Sequence, residues 1–363
     1  MALGALTLAI AMWTVVPPPT LALLALAVIV PELAPWCAAV CVVVTLVVYA
    51  LALGRARTIA VACAIVALAC VLVPLVEYPS ARAAARAESD TQIGEPRDAP
   101  VERAASTIDV LRDRPVVTRD GTRLGLDVYR TRGSGARPAI VTIYGGAWIF
   151  GTRAQMASID VAYARLGYTV VGIDYRHAPA HRFPVELHDV EDALATISKH
   201  AAAWNVDPKR VALFGRSAGA ELALLAGYEP GPLEIRAVVA YYAPVDLVAG
   251  YDDPPAPDPA NVRRILVTYL GGTPNALPAA YRRASPLTFV RPGLPPTFFI
   301  CGRRDQLVRI AFQRTMRDAL RAHGDHVTAI ELPWSDHAFD AIENGLGASI
   351  ATPATRAFLA ATL

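Results

Sequence analysis

This 363-residue chain has very few lysines, only one cysteine after residue 70, and few charged residues in its first 76 positions. Lys199 and Lys209 are the only lysines among 34 basic residues, and a net charge of +2 with no basic run argues against a nucleic-acid partner. Four of the five cysteines lie in the first 70 residues, so Cys301 has no disulfide partner in the remainder. Residues 1–76 hold only three charged side chains, whereas the remainder has ordinary globular composition. The sequence therefore predicts an apolar head followed by one large domain.

The apolar head, residues 1–76, contains two uncharged stretches of 18–19 residues, at 36–54 and 59–76. At 1.5 Å per residue each covers roughly 27–29 Å, close to the ~30 Å hydrocarbon core of a bilayer. Two further apolar runs, 3–16 and 20–30, are separated by three prolines and predict either one kinked span or a re-entrant pair. We therefore expect three or four spans, with the lipid bilayer as a partner.

The basic residues around these spans give opposing indications of topology. No lysine or arginine precedes Arg55, so a cleaved signal peptide is not expected. Arg55 and Arg57 lie between the two clear spans, and the positive-inside rule places that loop in the cytoplasm. The large domain of a multi-pass cell-membrane protein would then lie outside the cytoplasm. Arg82 and Arg86, just beyond the last span, favour the opposite side.

We expect three regions along the chain: a transmembrane region at 1–78, a stalk and linker at 79–106, and one large catalytic domain at 107–363. In the last region, short apolar or β-branched runs alternate with longer amphipathic stretches, which predicts an α/β fold with a mostly parallel sheet. Reactive groups in such sheets collect at the carboxyl ends of the strands. The predicted strands are 124–130, 138–143, 168–173, 210–214, 236–242, 296–301 and 326–332.

Ser217 lies in Gly215-Arg216-Ser217-Ala218-Gly219, between the apolar strand 210–214 and an Ala/Leu-rich helix. Small flanking residues let the backbone make a tight strand-to-helix turn that exposes the serine, and the helix N-terminus directs N–H groups at developing negative charge. The context of the G-x-S-x-G motif predicts that Ser217 is a nucleophile.

A nucleophilic serine needs a base and an orienting acid, and both are expected later in the chain. Among the histidines after Ser217, His337 follows the last predicted strand, whereas His323 and His326 precede that strand. Asp305 follows strand 296–301, from where a carboxylate can bind the far imidazole nitrogen. Asp336 adjoins the histidine and is expected to point away from its ring, and Asp325 lies at the wrong end of the sheet.

Gly145 and Gly146 directly follow strand 138–143. Bare glycine backbone at a strand end lets N–H groups approach a substrate carbonyl. With the N–H of Ala218 they would form an oxyanion hole, whose donors are each worth ~3–4 kcal/mol of barrier. Trp148 and Phe150 are candidate lining residues of an acyl pocket, with apolar residues of the segment 247–290; packing around the sheet is the alternative role.

The motifs together resemble the α/β-hydrolase fold, within it carboxylesterases related to hormone-sensitive lipase. They are IYGGAWIFG, GIDYRHAP, DPKRVALFGRSAGA, FICGRRDQLV and SDHAF. An apolar anchor before a GGAW-type loop is also similar to isoprenylcysteine methylesterases and some actinobacterial membrane-linked lipases. The resemblance covers residues 107–363 and implies the same roles for Ser217, Asp305 and His337. Many relatives have His-Gly-Gly-Gly where this chain has Tyr144-Gly145-Gly146-Ala147, and backbone donors do not depend on that difference in side chains.

These features predict a membrane-anchored serine hydrolase that cleaves a small-molecule or lipidic ester. No cofactor is expected, because the chain has no phosphate-binding glycine loop, and no metal, because Pro179 interrupts the His177 and His181 pair. An amidase, a peptidase or an acyltransferase would use the same residues. A non-catalytic membrane scaffold with a degenerate hydrolase domain is the alternative from another class, and the intact Ser-Asp-His set argues against it. The sequence does not indicate an oligomeric state.

Overall fold

The computed structural model describes residues 2–93, 107–133 and 135–363. Its strands are β1 Ile108–Val117, β2 Arg123–Thr131, β3 Arg137–Ile143, β4 Thr169–Ile173, β5 Val206–Arg216, β6 Ile235–Tyr241, β7 Thr297–Gly302 and β8 Val327–Leu332. Its α-helices are α1 Ala2–Ala11, α2 Leu21–Glu32, α3 Ala34–Leu51, α4 Gly54–Ile93, α5 Ala157–Arg165, α6 Val185–Lys199, α7 Ala201–Trp204, α8 Ala218–Tyr228, α9 Leu247–Asp252, α10 Val262–Leu270, α11 Pro278–Arg283, α12 Ile310–Ala322 and α13 Leu346–Thr362.

The strands form one sheet in the order β1-β2-β4-β3-β5-β6-β7-β8. Strands β3 to β8 run parallel, while β2 is antiparallel to both β1 and β4. Strands β4 and β7 are buried along their whole length, and β3 is buried except at Arg137, because a parallel sheet flanked by helices is covered on both faces. The prediction of an α/β fold with a mostly parallel sheet is confirmed.

Strand β1 was not among the predicted strands. Its middle, Arg112-Asp113-Arg114, is charged and contains a register shift against β2, so it lacks the apolar alternation of an ordinary strand. An edge strand can carry such residues because one of its sides faces solvent. The seven predicted strands correspond to β2–β8 with boundaries that differ by a few residues.

Two helices of the described chain, α3 and the part of α4 up to Gln92, are long and apolar enough to cross a membrane. The runs predicted at 3–16 and 20–30 form the shorter helices α1 and α2, which the triple proline separates. Helices of 10 and 12 residues extend only ~15–18 Å, less than the ~30 Å hydrocarbon core. The expected three or four spans are therefore reduced to two helices of sufficient length.

The expected boundary at residue 79 is not marked by a break in structure, because α4 continues without interruption to Ile93. Ala81 and Ala85 of its second half are buried in the main hydrophobic core. Glu88 accepts a hydrogen bond from the Ala329 N–H (3.0 Å) and pairs with Arg321, so the helix covers the exposed edge of β8. The first part of the expected stalk thus belongs to the folded domain, and residues 94–106 lie outside the described residues.

Candidate active site

Ser217 occupies the turn between β5 and α8 with φ 51° and ψ −121°, a conformation that L-residues rarely adopt. The glycines on either side make this turn possible. A Cβ on Gly215 would overlap the backbone of Gly219 and Ala220, and a Cβ on Gly219 would overlap the carbonyl oxygens that end β3. The G-x-S-x-G spacing therefore places Ser217 at the carboxyl edge of the sheet, with its hydroxyl clear of the strands.

The structure brings Ser217, His337 and Asp305 into one hydrogen-bonded chain. His337 Nε2 lies 2.9 Å from Ser217 Oγ, and His337 Nδ1 lies 2.8 Å from Asp305 Oδ2. The other carboxylate oxygen of Asp305 accepts the N–H groups of Leu307 (2.8 Å) and Val308 (2.7 Å), which fixes the carboxylate in the loop after β7. This arrangement can remove a proton from the serine hydroxyl and hold the resulting imidazolium.

Two opposing effects set the pKa of His337. Burial lowers it by disfavouring the imidazolium, but the charge and hydrogen bond of Asp305 more than offset burial, so the pKa is raised above its ordinary value. Asp336 does not bind the ring; its Oδ1 accepts the N–H groups of Gln306 (2.8 Å) and of His337 (2.7 Å). Burial, reinforced by the nearby Asp305 charge, raises the pKa of Asp336.

The other candidates that the sequence set aside lie away from the serine. Asp325 is in the turn before β8, where its carboxylate accepts the N–H groups of Gly293 (2.8 Å) and Leu294 (3.0 Å). His323 caps the end of α12 on that same side of β8. His177 Nε2 lies 3.0 Å from the hydroxyl of Tyr144, so it supports the loop that contains Gly145 and Gly146, which we call the glycine loop. Within the described residues, no cluster of His, Cys, Asp or Glu fits a metal ion.

The glycine loop passes directly over the serine turn. A Cβ on Gly145 would lie 2.9 Å from the Arg216 carbonyl oxygen and 3.1 Å from Ser217 Cβ, so only glycine permits this approach. Gly146 has φ +138°, and Ala218 is the first residue of α8, where N–H groups have no partner within the helix. The loop and the first residue of α8 therefore both lie beside Ser217.

Trp148 and Phe150 extend from this loop in different surroundings. Trp148 is buried; its Nε1–H donates to Glu221 Oε2 (3.0 Å) and its ring stacks on Tyr269 with centroids 4.1 Å apart. Phe150 is 61% exposed.

Two cavities meet at Ser217. The first, which we call the apolar cavity, is formed mainly by α9, α10 and the start of α12; it is lined by Trp148, Leu247, Val262, Ile265, Leu266 and Phe312. The second, which we call the wide cavity, is larger and is lined by Gly145, Gly146, Phe150, His337, Ala338 and Glu343. A substrate bound across Ser217 can thus place one part in each.

Sequence reasoning missed a buried charged group beside the triad. Arg216 pairs with Asp340, and Asp340 Oδ1 also accepts the hydroxyl of Tyr242 (2.6 Å). The Tyr242 and His337 ring centroids lie 4.5 Å apart, so this network packs against the imidazole. The signal in the sequence was the arginine itself, because a charge at the end of an apolar central strand needs a buried partner.

A mostly parallel sheet flanked by helices, with the serine on a sharp turn between a central strand and a helix, matches the α/β-hydrolase fold. The profile of the BD-FAE family matches residues 126–320, more than half of the chain, so the chain belongs to the BD-FAE family. The matched range contains Ser217 and Asp305 and ends before His337.

The relatives are esterases by description. The chain is 32% identical over 251 residues to the probable carboxylic ester hydrolase LipM of Mycobacterium tuberculosis, covering 65% of this chain and 57% of LipM. It is 31% identical over 268 residues to the esterase LipC of the same organism, covering 67% of this chain and 65% of LipC. The match thus spans less than two thirds of the length of either relative. An isoprenylcysteine α-carbonyl methylesterase of Arabidopsis thaliana is 31% identical over 124 residues, or 34% of this chain and 29% of that one.

Solved structures share the fold at lower identity. A bacterial heroin esterase matches with a TM-score of 0.62 and 23% identity, covering 79% of this chain and 93% of its own. The esterase of Pyrobaculum calidifontis matches with a TM-score of 0.61 and 22% identity, covering 79% and 92%. The resemblance to α/β-hydrolase esterases expected from the motifs is confirmed for the family and the fold.

The buried Glu221 gives a prediction for stability. Burial raises the pKa of this carboxyl well above its ordinary value, with the nearby Glu186 adding to the effect. An unfolded glutamate titrates near ~4.3, so above that pH the unfolded chain releases a proton that the folded chain keeps. Rising pH should therefore destabilise the native protein, by at most about 1.4 kcal/mol per pH unit, up to the folded pKa.

Glu221→Gln removes this titration while keeping a hydrogen-bonding side chain. We expect the melting temperature of the variant to exceed that of the native chain increasingly from pH 5 to pH 9. Glu229→Gln, an exposed residue at the end of the same helix, is the control and should follow the native curve. Parallel curves for Glu221→Gln and the native protein would contradict the buried, protonated carboxyl.

Proposed function

We propose that this chain is a membrane-anchored serine hydrolase that cleaves carboxylic esters through an acyl-enzyme on Ser217. The observation that carries the proposal is the continuous hydrogen-bonded chain from Asp305 through His337 to Ser217, with glycine backbone facing the serine. The descriptions of LipM and LipC as ester hydrolases support the same reaction class. Here His337 is the general base, and Asp305 orients it.

The reaction has two halves, and in each of them His337 removes a proton from the attacking group and gives it to the leaving group. His337 Nε2 takes the hydroxyl proton as Ser217 Oγ attacks the ester carbonyl carbon, which gives a tetrahedral oxyanion. The imidazolium then gives that proton to the leaving alcohol, and the acyl group remains on Ser217. Water, activated by the same histidine, attacks the acyl-enzyme and releases the carboxylic acid and the free serine. Asp305 keeps the Nδ1–H tautomer in place and stabilises the imidazolium throughout.

The oxyanion of each half-reaction needs donors that are already in position. The N–H groups of Gly145, Gly146 and Ala218 supply them in this proposal. Gly145 lies against Ser217, Gly146 lines the wide cavity together with Ser217, and Ala218 follows Ser217 in the chain. Because these donors are backbone groups, the Tyr144 that stands where many relatives have histidine does not remove them. Tyr144 instead ties the loop down: its hydroxyl donates to the Tyr175 carbonyl (3.0 Å), and the Tyr175 hydroxyl donates back to the Tyr144 carbonyl (3.1 Å).

The two cavities assign the two halves of the ester. The apolar cavity suits the acyl chain because burying each methylene there is worth about 0.8 kcal/mol. The wide cavity, on the side of Gly145 and His337, suits the alcohol, because His337 must reach the leaving oxygen. Trp148 then borders the acyl chain, and Phe150 borders the alcohol.

The head is proposed to lie in a bilayer. Helix α3 leaves apolar side chains pointing outward, including Val40, Val43 and Leu46, each more than half exposed. An exposed apolar surface of this kind is stable against lipid and unstable against water. Arg55 and Arg57, at the start of α4, would lie on the cytoplasmic side, which puts the catalytic domain on the outer side.

Hydrolysis of p-nitrophenyl esters from acetate to palmitate tests the reaction on the detergent-solubilised chain. We expect the highest kcat/KM for acyl chains of about four to eight carbons, since methylene burial favours longer chains until the apolar cavity is full. Ser217→Ala should lower kcat by at least about 10³-fold, because only the oxyanion donors and binding remain. Activity that survives in Ser217→Ala would contradict the proposal, and amide cleavage without ester cleavage would move the assignment to an amidase.

The pH profile tests the roles of His337 and Asp305. The base must be neutral, so kcat/KM should fall as pH drops through the His337 pKa, which lies above the ordinary value of ~6.5. Asp305→Asn removes the charge that raises this pKa while burial remains. The acid limb should then move to lower pH, and the rate should fall on the order of 10⁴-fold, as in a serine-protease triad.

Asp336→Asn is the matched control, because Asp336 directly precedes His337 in the loop after β8 and its carboxylate accepts hydrogen bonds from backbone N–H groups rather than from the imidazole. It should lower the rate much less than Asp305→Asn. An acid limb that stays in place in Asp305→Asn would rule out the assigned pair.

A further inference from the structure

The segment that carries His337 is short, and it is buried from Trp334 to His337. Strand β8 ends at Leu332, and Trp334, Ser335 and Asp336 lead to the histidine with each side chain less than a tenth exposed. The catalytic domain holds this segment from one side, where the Arg304 N–H donates to the Ser335 carbonyl (3.2 Å). The other side faces the apolar head.

Glu32, at the end of α2, is the residue of the head that meets this segment. Its Oε1 accepts the hydroxyl of Ser335 (2.6 Å), two positions before His337, and its Oε2 accepts the N–H of Gly347 (2.5 Å) at the start of α13. Glu32 is 2% exposed. Tyr78 of α4 adds a second contact, with its ring 6.0 Å from that of Trp334.

The catalytic domain is shaped to receive this carboxylate. A Cβ on Gly345 would lie 2.9 Å from Glu32 Cβ and Oε2, and a Cβ on Gly347 would lie 3.0 Å from both carboxylate oxygens. Any other residue at these two positions would push the carboxylate away. Glu32 is also the only acidic residue among residues 1–76, and burying a carboxylate is costly unless it is hydrogen-bonded.

We propose that Glu32 is a positioning residue for His337, so that the apolar head is part of the catalytic unit as well as an anchor. The inference rests on the proposed function, because it gives His337 the role of base. The physical reason is that the bond to Ser335 fixes the segment from which the imidazole projects. A displacement of ~1 Å at a reacting group can lower a rate on the order of 10²-fold.

The chain offers a closely matched control in Glu88. This residue also lies in a helix that begins in the head, and it also joins that helix to the domain through one side chain, Arg321, and one backbone N–H, that of Ala329. The partners of Glu88 lie in β8 and α12, outside the segment Trp334–His337 that carries the catalytic histidine. Loss of Glu88 therefore weakens docking in general, whereas loss of Glu32 removes support from the histidine.

The test measures the rate at which a fluorophosphonate probe labels Ser217 in the detergent-solubilised chain of 363 residues, and the melting temperature of each variant. This rate reports how well His337 activates the serine and needs no knowledge of the natural ester. We expect Glu32→Ala to slow labelling at least about tenfold and Glu88→Ala to leave it within about twofold. Kinetics with p-nitrophenyl butyrate should show the loss for Glu32→Ala in kcat rather than KM.

Two further variants keep the proposal open to contradiction if Glu32→Ala folds poorly. Glu32→Gln retains one carbonyl oxygen for one of the two donors and should restore part of the rate. Ser335→Ala removes the same bond from the other side, so its effect should not add to that of Glu32→Ala.

The outcomes separate the two proposals. A native chain that is not labelled would overturn the proposed function. If the native chain is labelled but Glu32→Ala and Glu88→Ala are labelled at equal rates, the role of Glu32 alone is overturned. The same follows if the labelling rates of all variants simply follow their melting temperatures. It also follows if the effects of Glu32→Ala and Ser335→Ala on the rate are additive.

Discussion

The site depends on one constraint: both ring nitrogens of His337 are hydrogen-bonded at once. Nε2 faces Ser217 and Nδ1 faces Asp305. Ser217 follows β5, Asp305 follows β7 and His337 follows β8. They meet only because the strands run parallel and end at one edge of the sheet. A histidine bonded through one nitrogen would be free to turn away from the serine. The sheet therefore sets the distances, and the loops supply the reacting groups.

Buried polar groups that do not react surround this constraint on several sides. Glu221 holds Trp148 of the glycine loop, Asp340 holds Arg216 beside the serine, and Glu32 holds Ser335 ahead of the histidine. Each would destabilise the fold by several kcal/mol if it had no partner. Because each of the three sits on a different element, the loops of the site are tied to the helices and strands behind them. In this account the rigidity of the site comes from these contacts.

Seven of the eight strands could be predicted from the sequence, and Ser217, Asp305 and His337 could be named as candidates, because these signals are local. An apolar strand followed by G-x-S-x-G, and an aspartate or a histidine just after a later strand, can be recognised without any contact being known. Strand β1 was missed because Arg112 and Arg114 hide its alternation. The docking of the second half of α4 could not be predicted, because it depends on Ala81 and Ala85 contacting a distant part of the chain. The partners of Glu32, Arg216 and Glu221 are tertiary contacts, which no local pattern contains.

The central claim is that Ser217 is the nucleophile and that only the folded site activates it. Peptide mapping by mass spectrometry after fluorophosphonate treatment of the full chain tests this claim most directly. We expect one adduct, on the peptide that contains Ser217, and none in Ser217→Ala or in heat-unfolded protein. An adduct on another residue of the native chain, or equal labelling of Ser217→Ala, would contradict it.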